Sequence, residues 1–494
     1  MSKISKILGL FVLVTVILAA CAPATTPPPV ATQPPAEPTE AATEAPTEAA
    51  TEAPTEAATE APVTGCPEGV FDFGEVTGGP AGGFLERALA GEFSGTTVTV
   101  DGTQTDPDDR KMKFGWAAFE EATGITVNYI GNKEFEARIS IAVDAGEAPD
   151  IADFPQPALV RRFAEQGKLI DVGEFLSDEY LQETYIQSWL DLATMNNADG
   201  SPITAGVFNR YSAKSLVWYP KDDFEAAGYE VPETWDDLIA LSDQIVADGD
   251  TPWCVGIESQ AATGWPATDW VEDVMLRTTT LENYDAWVAG ELPFASPEVK
   301  NAWETVGNIW FKEGYVYGGR DAIVTTFFGD SPAGLFTDPP NCWLHRQANF
   351  ITGFFPEGSE ADVDYAAFYL PPIDEQYGRP LLGAGDMYVM FNDRPEVRAL
   401  IEYFTLPMSV SGFLNEGGAF AAQKASTPEM YSIPLEVSLA ELFGTATSFR
   451  FDGSDLMPGE VGAGSFWKEM TAWVSGSESL DDALSNIDAT WPSN

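Results

Sequence analysis

Histidine and cysteine are scarce in this chain. It has one histidine, His345, and four cysteines among 494 residues. None of them stands in the closely spaced cysteine and histidine pairs that bind zinc in proteins. This scarcity argues against a structural or catalytic zinc site, and we predict neither a metal nor another cofactor.

Basic residues are also few. Lysine and arginine number 25 against 77 aspartates and glutamates, which gives a formal net charge of −52. Proteins that bind nucleic acid or an anionic membrane surface need basic patches. The composition therefore argues against both partners, although a charge of this size says nothing about the fold.

Long apolar runs are absent after the first twenty residues. Within the first twenty residues, Lys3 and Lys6 precede the apolar run ILGLFVLVTVILAA, and Cys21 follows this run directly. The run is too short to span a bilayer comfortably and has the length of the apolar part of a signal peptide. Leu18 to Cys21 resembles the bacterial lipobox, in which the cysteine is lipidated. An ordinary secretory signal cut nearby is the alternative, and both predict export.

Residues 22–63 consist almost entirely of alanine, proline, threonine and glutamate. From Thr39 to Pro62 the tetrads TEAA and TEAP alternate. Such a segment has no apolar side chains whose burial could offset the entropy of ordering, so we expect it to be disordered and extended. It would serve as a tether between a lipid anchor and a folded body.

Strand and helix patterns alternate in the folded part. TVTVDG at 97–102 and ITVNYI at 125–130 read as strands, and 108–124 between them has apolar residues at helical spacing. A helix at 134–147 and a strand at 148–155 continue this order. Short βαβ connections predict a parallel sheet. Roughly 430 folded residues are too many for one such core, so we predict two α/β lobes.

The later sequence predicts a second α/β block. A strand, a turn and a helix are expected at 215–228, and a long helix within 231–249 with Thr234 as its N-cap. Two strands are expected at 362–392. Two helices at 465–491 close the chain.

Cys254 and Cys342 stand beside turn-forming residues, in TPWCVG and PPNCWLH. In an oxidising compartment they could form a disulfide, which only the distance between them can decide. Cys66, at the end of the tether, has no assigned role.

Several stretches, taken in order, resemble the extracellular solute-binding proteins of ABC importers, in particular the carbohydrate-binding group that includes maltose-binding protein. They include VTVDG at 98–102, KLIDV at 168–172, PETWDDL at 232–238 and SFW at 465–467. The resemblance covers about residues 96–494. Within it, TGWPATDWVED and CWLHRQANF look closest to alpha-glucoside-type binding proteins.

The resemblance implies an α/β, two-lobed periplasmic-binding-protein-like fold of type II, with a ligand cleft between lobes that are joined by a hinge. The chain should cross the hinge three times, near 205–215, 363–372 and 420–430. The predicted divisions are a signal peptide at 1–20, the lipidated cysteine and tether at 21–63, lobe 1 at 96–207 plus 368–425, and lobe 2 at 208–367 plus 426–494.

The resemblance also implies a function. The protein would capture an alpha-glucoside or another oligosaccharide outside the cytoplasm and deliver it to the transmembrane permease subunits of an ABC importer. We expect a monomer that touches the membrane only through its N-terminal lipid anchor, in the periplasm or at the cell surface.

Three alternatives remain: a binding protein of this fold for a non-sugar ligand, a sensor without a permease, and a secreted glycoside hydrolase. A hydrolase needs two positioned carboxylates, and acids are so abundant here that a pair could always be found. The sequence contains no nucleophile elbow, phosphate-binding loop, dinucleotide fingerprint or metalloprotease helix. We therefore expect no enzymatic activity.

Sugars present apolar faces, on which aromatic rings stack, and hydroxyls, which carboxylate, amide and guanidinium groups bind. Loops at strand ends and the positions that the resemblance indicates supply such side chains. The candidate ligand-binding residues are Asp106, Phe154, Gln156, Arg210, Trp265, Asp269, Trp343, Arg346, Asp386 and Trp467.

Several candidates have a structural alternative. Asp106 could be a helix N-cap or a solvated turn residue, and Phe154 and Trp343 could be core residues. Arg210 could pair across the hinge instead of binding a ligand.

The stretch TGWPATDW mixes aromatic and acidic residues and reads as the start of a helix. We assign Trp265 and Asp269, about one turn apart, to the pocket. We assign Trp270 to packing, because it shares a helix face with Val274.

Overall fold

Alternating strands and helices open the structure, as the sequence predicts. The computed structural model describes residues 71–492. The predicted signal peptide, the lipidated Cys21, Cys66 and the tether lie outside the described residues. Among residues 71–492, no helix is both long and apolar enough to cross a membrane.

The strands are β1 (Thr97–Gly102), β2 (Thr126–Gly131), β3 (Ile151–Phe154), β4 (Thr194–Asn196), β5 (Pro202–Thr204), β6 (Gly206–Ala213), β7 (Leu216–Tyr219), β8 (His345–Arg346), β9 (Ala366–Tyr369), β10 (Pro380–Met390), β11 (Phe420–Ala421) and β12 (Ser448–Phe451). The helices are α1 (Phe84–Leu89), α2 (Asp108–Thr123), α3 (Phe135–Ala145), α4 (Pro157–Glu165), α5 (Asp178–Thr184), α6 (Gln187–Ala193), α7 (Lys221–Ala226), α8 (Trp235–Asp248), α9 (Trp265–Thr278), α10 (Leu281–Val288), α11 (Pro297–Trp310), α12 (Arg320–Ile323), α13 (Pro395–Phe404), α14 (Ser411–Glu416), α15 (Pro434–Gly444), α16 (Gly453–Leu456), α17 (Trp467–Ser475) and α18 (Leu480–Asp488).

The sheet of the first lobe has the order β11-β6-β10-β3-β1-β2, with β12 also paired to β10. β1 runs parallel to both β2 and β3, which confirms the parallel βαβ arrangement predicted for the opening segment. β10 is antiparallel to β3 and β6, so the complete sheet is mixed. The carboxyl ends of β1 and β3 therefore lie side by side at one edge, where ligands bind in folds of this kind.

Helix α2 shows why the opening pattern folds as predicted. Met112, Trp116 and Phe119 recur at helical spacing and are all buried in the first core. The helix ends at Gly124, whose φ of 68° is a left-handed value that glycine adopts without strain. Helix α2 thus covers one face of the first sheet.

The second lobe surrounds a separate core. Its three-stranded sheet has the order β8-β7-β9, and helices α8, α9, α11, α17 and α18 supply about half of the buried apolar residues. Thr234 caps α8 in a reciprocal capping box with Asp237, which confirms the predicted N-cap.

The chain passes between the two cores where β6 leads into β7 and where β9 leads into β10. The predicted third crossing at 420–430 needs correction. Strand β12 still pairs with β10 in the first sheet, so the chain leaves that sheet for the last time after Phe451. The sequence did not show this pairing, because β10 lies some sixty residues before β12. The predicted lobe bounds remain predictions.

Cys254 and Cys342 form a disulfide with a Cα–Cα distance of 5.4 Å, which confirms their predicted pairing. The bond joins the segment before α9 to the segment before β8. Both cysteines are buried in a third, smaller cluster of apolar residues. The disulfide therefore fixes the loop that leads into α9, the helix that borders the cleft.

Candidate functional site

A cavity of about 210 Å³ lies between the lobes. Its first-lobe wall comes from residues that follow β1 and β3, from the start of α3, and from the adjacent strands β6 and β10. Its second-lobe wall comes from the start of α9, from phenylalanine-rich segments between α12 and β9, and from α16 and α17. The cavity thus stands at the carboxyl ends of parallel strands, the position that the fold predicts.

Aromatic rings form the apolar part of the wall. The Trp265 ring centroid lies 5.0 Å from that of Phe328 and 5.8 Å from that of Phe350. Trp467 lines the same cavity and directs its indole Nε1 toward Ser454 Oγ at 3.4 Å. These rings offer flat apolar surfaces, which suit the C–H faces of a sugar ring.

Gly264 allows the starts of α9 and α17, which carry Trp265 and Trp467, to lie close together. It precedes α9 with a φ of 115°, and a Cβ placed on it would lie only 2.4 Å from the carbonyl oxygen of Trp467. A side chain at this position would clash with the Trp467 backbone. The glycine therefore brings the start of α9, with Trp265, against the start of α17.

Arg210 is the central cation on the first-lobe side of the cavity. Its guanidinium lies 2.8 Å from Asp153 Oδ2 and 3.2 Å from Asp386 Oδ1, and it donates to the hydroxyl of Tyr388 at 3.0 Å. Burial raises the pKa of Asp153 to about 7, although Arg210 opposes this shift. Arg210 is therefore held in a fixed position by two carboxylates and one phenol.

Lys214 is a second buried cation of the cavity wall, and it lies at the junction between β6 and β7. Its Nζ lies 2.8 Å from Asp269 Oδ1, contacts Asp452, and stands 5.3 Å from the ring centroid of Trp265. Burial raises the pKa of Asp269 to about 7, with Lys214 acting against the shift. The lysine thus ties the chain crossing to α9 and to the residue that follows β12.

Asp269, Glu272 and Asp452 have carboxylate oxygens within 4.8 Å of one another, the kind of grouping that can hold a metal ion. Here the ammonium of Lys214 is already in contact with Asp269 and Asp452. Glu272 accepts hydrogen bonds from the backbone N–H groups of Gly453 and Ser454 at 3.0 and 3.1 Å. The lysine therefore supplies the cation that this cluster needs, and we do not assign it a metal.

The structure brings five of the ten predicted residues together on the cavity wall. They are Gln156, Arg210, Trp265, Asp386 and Trp467. Three come from the first sheet or the loop after it, and the two tryptophans begin helices of the second lobe.

Two of the remaining candidates lie near the cavity without lining it. Asp269 is fully buried one layer behind the wall, where it pairs with Lys214. Asp106 is exposed. Its neighbour Thr105 lines the cavity, and so does Asp108, which follows Pro107. The structure therefore places the neighbours of Asp106, and not Asp106 itself, on the cavity wall.

Phe154 does not line the cavity. Its ring is completely buried between Phe135, Phe163 and Phe391. All four residues of β3 are buried, because helices cover both faces of the sheet. Phe154 is therefore a core residue, and we remove it from the candidate site.

Trp343 and Arg346 also lie outside the cavity. Trp343 packs edge-to-face on Tyr229, with ring centroids 5.0 Å apart, in the second core. Arg346 is buried, and its Nη2 lies 2.8 Å from Asp273 Oδ2. Both residues follow Cys342 closely, and their side chains lie in the interior of the second lobe. Neither is therefore retained as a ligand contact.

Sequence reasoning missed several residues of the wall. Lys214 lies within the predicted first crossing near 205–215, and this place at the hinge was the available signal. Asp452 and Asp455 belong to the stretch DGSD, which shows no pattern that distinguishes it from other acidic turns. The remaining wall residues that had not been proposed include Asp108, Lys133, Glu136, Ser259, Phe328, Phe350, Phe354 and Phe413.

Comparisons with known proteins give a consistent result. The family described as "Bacterial extracellular solute-binding protein" matches residues 101–410. The osmoprotective compounds-binding protein GgtB of Synechocystis sp. is 46% identical over 400 residues, 80% of this chain and 92% of the relative. The alpha-glucosides-binding periplasmic protein AglE of Rhizobium meliloti is 42% identical over 408 residues, 81% of this chain and 88% of the relative.

Solved structures are similar in fold. A chitin oligosaccharide binding protein aligns with a TM-score of 0.68 at 17% identity, covering 80% of this chain and 97% of the other. Maltose-bound MalE3 of T. maritima aligns with a TM-score of 0.61 at 18% identity, covering 80% and 98%. At such low identity these similarities establish the two-lobed fold alone.

Proposed function

The chain belongs to the bacterial extracellular solute-binding protein family, and we propose that it captures a sugar, an alpha-glucoside or a related oligosaccharide, between its lobes for an ABC importer. The proposal includes delivery to the permease subunits, action as a monomer, and attachment to the outer face of the cell membrane through a lipidated Cys21. We infer that the protein binds its ligand without transforming it, as the names of its relatives indicate for them.

One observation carries the proposal. Trp265 and Trp467 line the same cavity as Gln156, Asp386 and Arg210. Such a site offers apolar ring surfaces together with acceptors and donors for hydroxyl groups. Two relatives with more than 40% identity over most of this chain carry names that refer to alpha-glucosides and to osmoprotective compounds, which supports the same ligand class.

The test is a calorimetric titration of the full chain in mild detergent. The ligands are maltose, trehalose, sucrose, longer maltooligosaccharides, glucose and a control peptide. We expect at least one sugar to bind with a micromolar or lower Kd and the peptide not to bind. Absence of binding by every sugar to a folded, monodisperse sample would contradict the proposal.

A matched pair of variants locates the site. Trp467→Ala removes an indole from the cavity wall and should reduce sugar affinity by about 10- to 100-fold, the loss that corresponds to roughly 1.4 to 2.7 kcal/mol of stacking. Tyr317→Ala removes an exposed aromatic ring of the same lobe, away from the cavity, and should leave the affinity unchanged. Release of nitrophenol from a chromogenic alpha-glucoside would instead support a hydrolase.

A further inference from the structure

Asn349 is a fully buried residue whose side chain joins three distant parts of the chain. It follows β8 in the second lobe and begins a short 3-10 helix, Asn349–Phe354. Its Oδ1 accepts a hydrogen bond from the backbone N–H of Ala213, the last residue of β6, at 3.0 Å. Its Nδ2 donates to Oε2 of Glu436 on α15 at 3.3 Å. Asn349 therefore connects a second-lobe segment to the first crossing and to α15.

The orientation of this amide follows from its partners. A backbone N–H can only donate, so the carbonyl oxygen of Asn349 must face Ala213, and the amide nitrogen must then face Glu436. An ionised aspartate could not donate to Glu436, and an apolar side chain could satisfy neither partner. Asparagine thus satisfies both partners with one planar group.

Glu436 extends this connection to the first-lobe wall of the cavity. Its Oε1 accepts a hydrogen bond from the backbone N–H of Gly418 at 3.0 Å, and Gly418 and Ala419 both line the cavity. A Cβ placed on Gly418 would lie 3.4 Å from the Cα of Phe350. The backbone of the first-lobe wall is therefore a close neighbour of the residue that follows Asn349.

Phe350 and Phe354 belong to the same short helix and line the cavity from the second lobe. The Phe350 ring centroid lies 5.8 Å from that of Trp265 and 6.2 Å from that of Phe328. Because Phe350 directly follows Asn349, a shift of the Asn349 backbone also shifts this ring. The aromatic part of the wall thus depends on where Asn349 is held.

On the basis of the proposed function, we propose that Asn349 is a positioning residue, which fixes Phe350 and the aromatic wall relative to the first crossing so that the cavity fits a sugar. Asn349 lies behind the wall and does not line the cavity, so it acts on a ligand only through its neighbours. Binding side chains must be held within about 0.5 Å of their productive geometry by the residues behind them. The two hydrogen bonds of Asn349 supply this support.

The first variant, Asn349→Leu, removes both hydrogen bonds and keeps the size of the side chain nearly unchanged. It should lower the affinity for sugar by about 10-fold or more, because Phe350 loses its fixed position. Calorimetric titration of the full chain in mild detergent with maltose, trehalose and sucrose measures the loss. An unchanged affinity in the folded variant would overturn the proposal.

Gln423→Met is the matched control. Gln423 is also a buried amide, it donates to the carbonyl oxygen of Phe404 at 2.9 Å, and it lies outside the cavity wall. Both variants should lose thermal stability, because each leaves a buried polar group without its partner. Only Asn349→Leu should lose affinity for sugar. An equal loss of affinity in the control would assign the effect to general destabilisation and contradict the proposal.

A second variant, Asn349→Asp, tests the same contact through pH. One carboxylate oxygen can still accept from Ala213, but the other faces Glu436, and two adjacent carboxyl groups stay together only while they share a proton. Relative to the wild type at the same pH, sugar affinity should be nearly unchanged at about pH 5.5 and about 10-fold lower at about pH 9. A variant that follows the wild type at every pH would contradict the proposal.

The groups around Glu436 leave this carboxyl pair as the one that titrates. Lys111 on α2 faces Glu436, and its Nζ donates to the carbonyl oxygen of Gly417 at 3.0 Å. Three phenols also face Glu436, and burial raises the pKa of each, so they stay neutral over this range; they are Tyr211, Tyr365 and Tyr431. Comparison with the wild type at each pH removes the contribution of the carboxyl groups that line the cavity.

The Asp variant decides the question even if Asn349→Leu does not fold, because it keeps both contacts at low pH. If the wild-type chain binds none of the sugars, the proposed function itself fails, and this inference fails with it. If the wild type binds sugar and the Asn349 variants bind it equally well, the proposed function stands and only the inference fails. The two failures are therefore distinguishable.

Discussion

Lys214, at the junction where the chain first leaves the first sheet, lies 2.8 Å from Asp269 on α9 of the second lobe. The same ammonium contacts Asp452, at the point where the chain leaves that sheet for the last time. One buried cation thus joins two chain crossings to the helix that carries Trp265. This arrangement links the hinge to the cavity wall.

Removing this cation should strongly destabilise the protein. In Lys214→Met, Asp452 would remain buried without its ion-pair partner and Asp269 would keep only Arg346, at 3.7 Å, so we expect the free energy of unfolding to fall by about 3–5 kcal/mol. Urea denaturation followed by tryptophan fluorescence measures the change. Lys300→Met, which breaks an exposed pair with Asp481, is the control and should have little effect. Equal small losses in both variants would show that the buried network contributes no more than a surface pair.

Gly264 should be required for the geometry of the site. Gly264→Ala places a Cβ against the carbonyl oxygen of Trp467, on a backbone with a φ of 115°. Gly249→Ala is the matched control, because its φ is 100° but nothing lies within 4 Å of the added Cβ. Both variants should lose roughly 1 kcal/mol from backbone strain. Only Gly264→Ala should also weaken sugar binding, by about 10-fold or more, because the two tryptophans must move apart.

Thermal denaturation and calorimetric titration of both glycine variants check this expectation. Sugar affinity that is equal in the two variants would show that the contact between Gly264 and Trp467 does not position the wall.

Much of the fold could be predicted from the sequence because it depends on local patterns. Helix α2 follows from the spacing of Met112, Trp116 and Phe119, and α8 begins where Thr234 can cap it. Trp270 packs between Trp253 and Trp310, as its helix face indicates. The patterns that predict these features involve only residues a few positions apart in the sequence.

The site was less predictable, because its partners come from distant segments. Lys214 and Asp452 are 238 residues apart, and although Lys214 lies at the predicted first crossing, no local pattern shows that the two side chains meet. Phe154 was placed correctly at the end of β3, but the sequence did not show that Phe391 would cover it. Which side of a strand end faces the cleft depends on packing that only the assembled lobes define.

The stability of the protein should depend on pH through Glu436. This residue accepts a hydrogen bond from the backbone N–H of Gly418 at 3.0 Å, and burial raises its pKa to about 7. The folded state therefore keeps a proton that the unfolded state releases near pH 4.5. The contribution of this group to stability is fully present below that value, and it is lost as the pH rises toward 7.

The variant Glu436→Gln should remove this part of the pH dependence. Between about pH 4.5 and pH 7 the wild-type chain should lose roughly 3 kcal/mol more than the variant. Urea denaturation at several pH values measures the difference, and Glu441→Gln, an exposed change on the same helix, should behave like the wild type. Parallel curves for the wild type and Glu436→Gln would contradict the assignment.

The disulfide should stabilise the second lobe by restricting the unfolded chain. Cys254 and Cys342 are separated by 88 residues, and a loop of about that length predicts a loss of up to roughly 4 kcal/mol when the bond is removed. Urea denaturation with and without a reducing agent measures the loss. A variant in which both cysteines are replaced by alanine should start at the lower stability and not respond to the reducing agent. No effect of reduction on the wild type would show that the bond adds nothing to stability.

Closure of the cleft should be favoured by one contact between the lobes at the rim of the cavity. Lys133 follows β2 in the first lobe, and its Nζ lies 4.3 Å from the ring centroid of Phe327 in the second. A cation–π contact of this kind contributes about 0.5–1 kcal/mol when exposed, so Lys133→Met should weaken sugar binding by about 2- to 5-fold. Lys168→Met, an exposed change in the first lobe, should not weaken it.

A double-mutant cycle separates this contact from a direct role of Lys133 in ligand binding. If the two side chains act on each other, Lys133→Met combined with Phe327→Leu should cost no more affinity than the larger of the single changes. Calorimetric titration of the four proteins with the same sugar gives the coupling energy. Additive losses would mean that Lys133 and Phe327 act independently, and the contact would then have no part in holding the lobes together around the ligand.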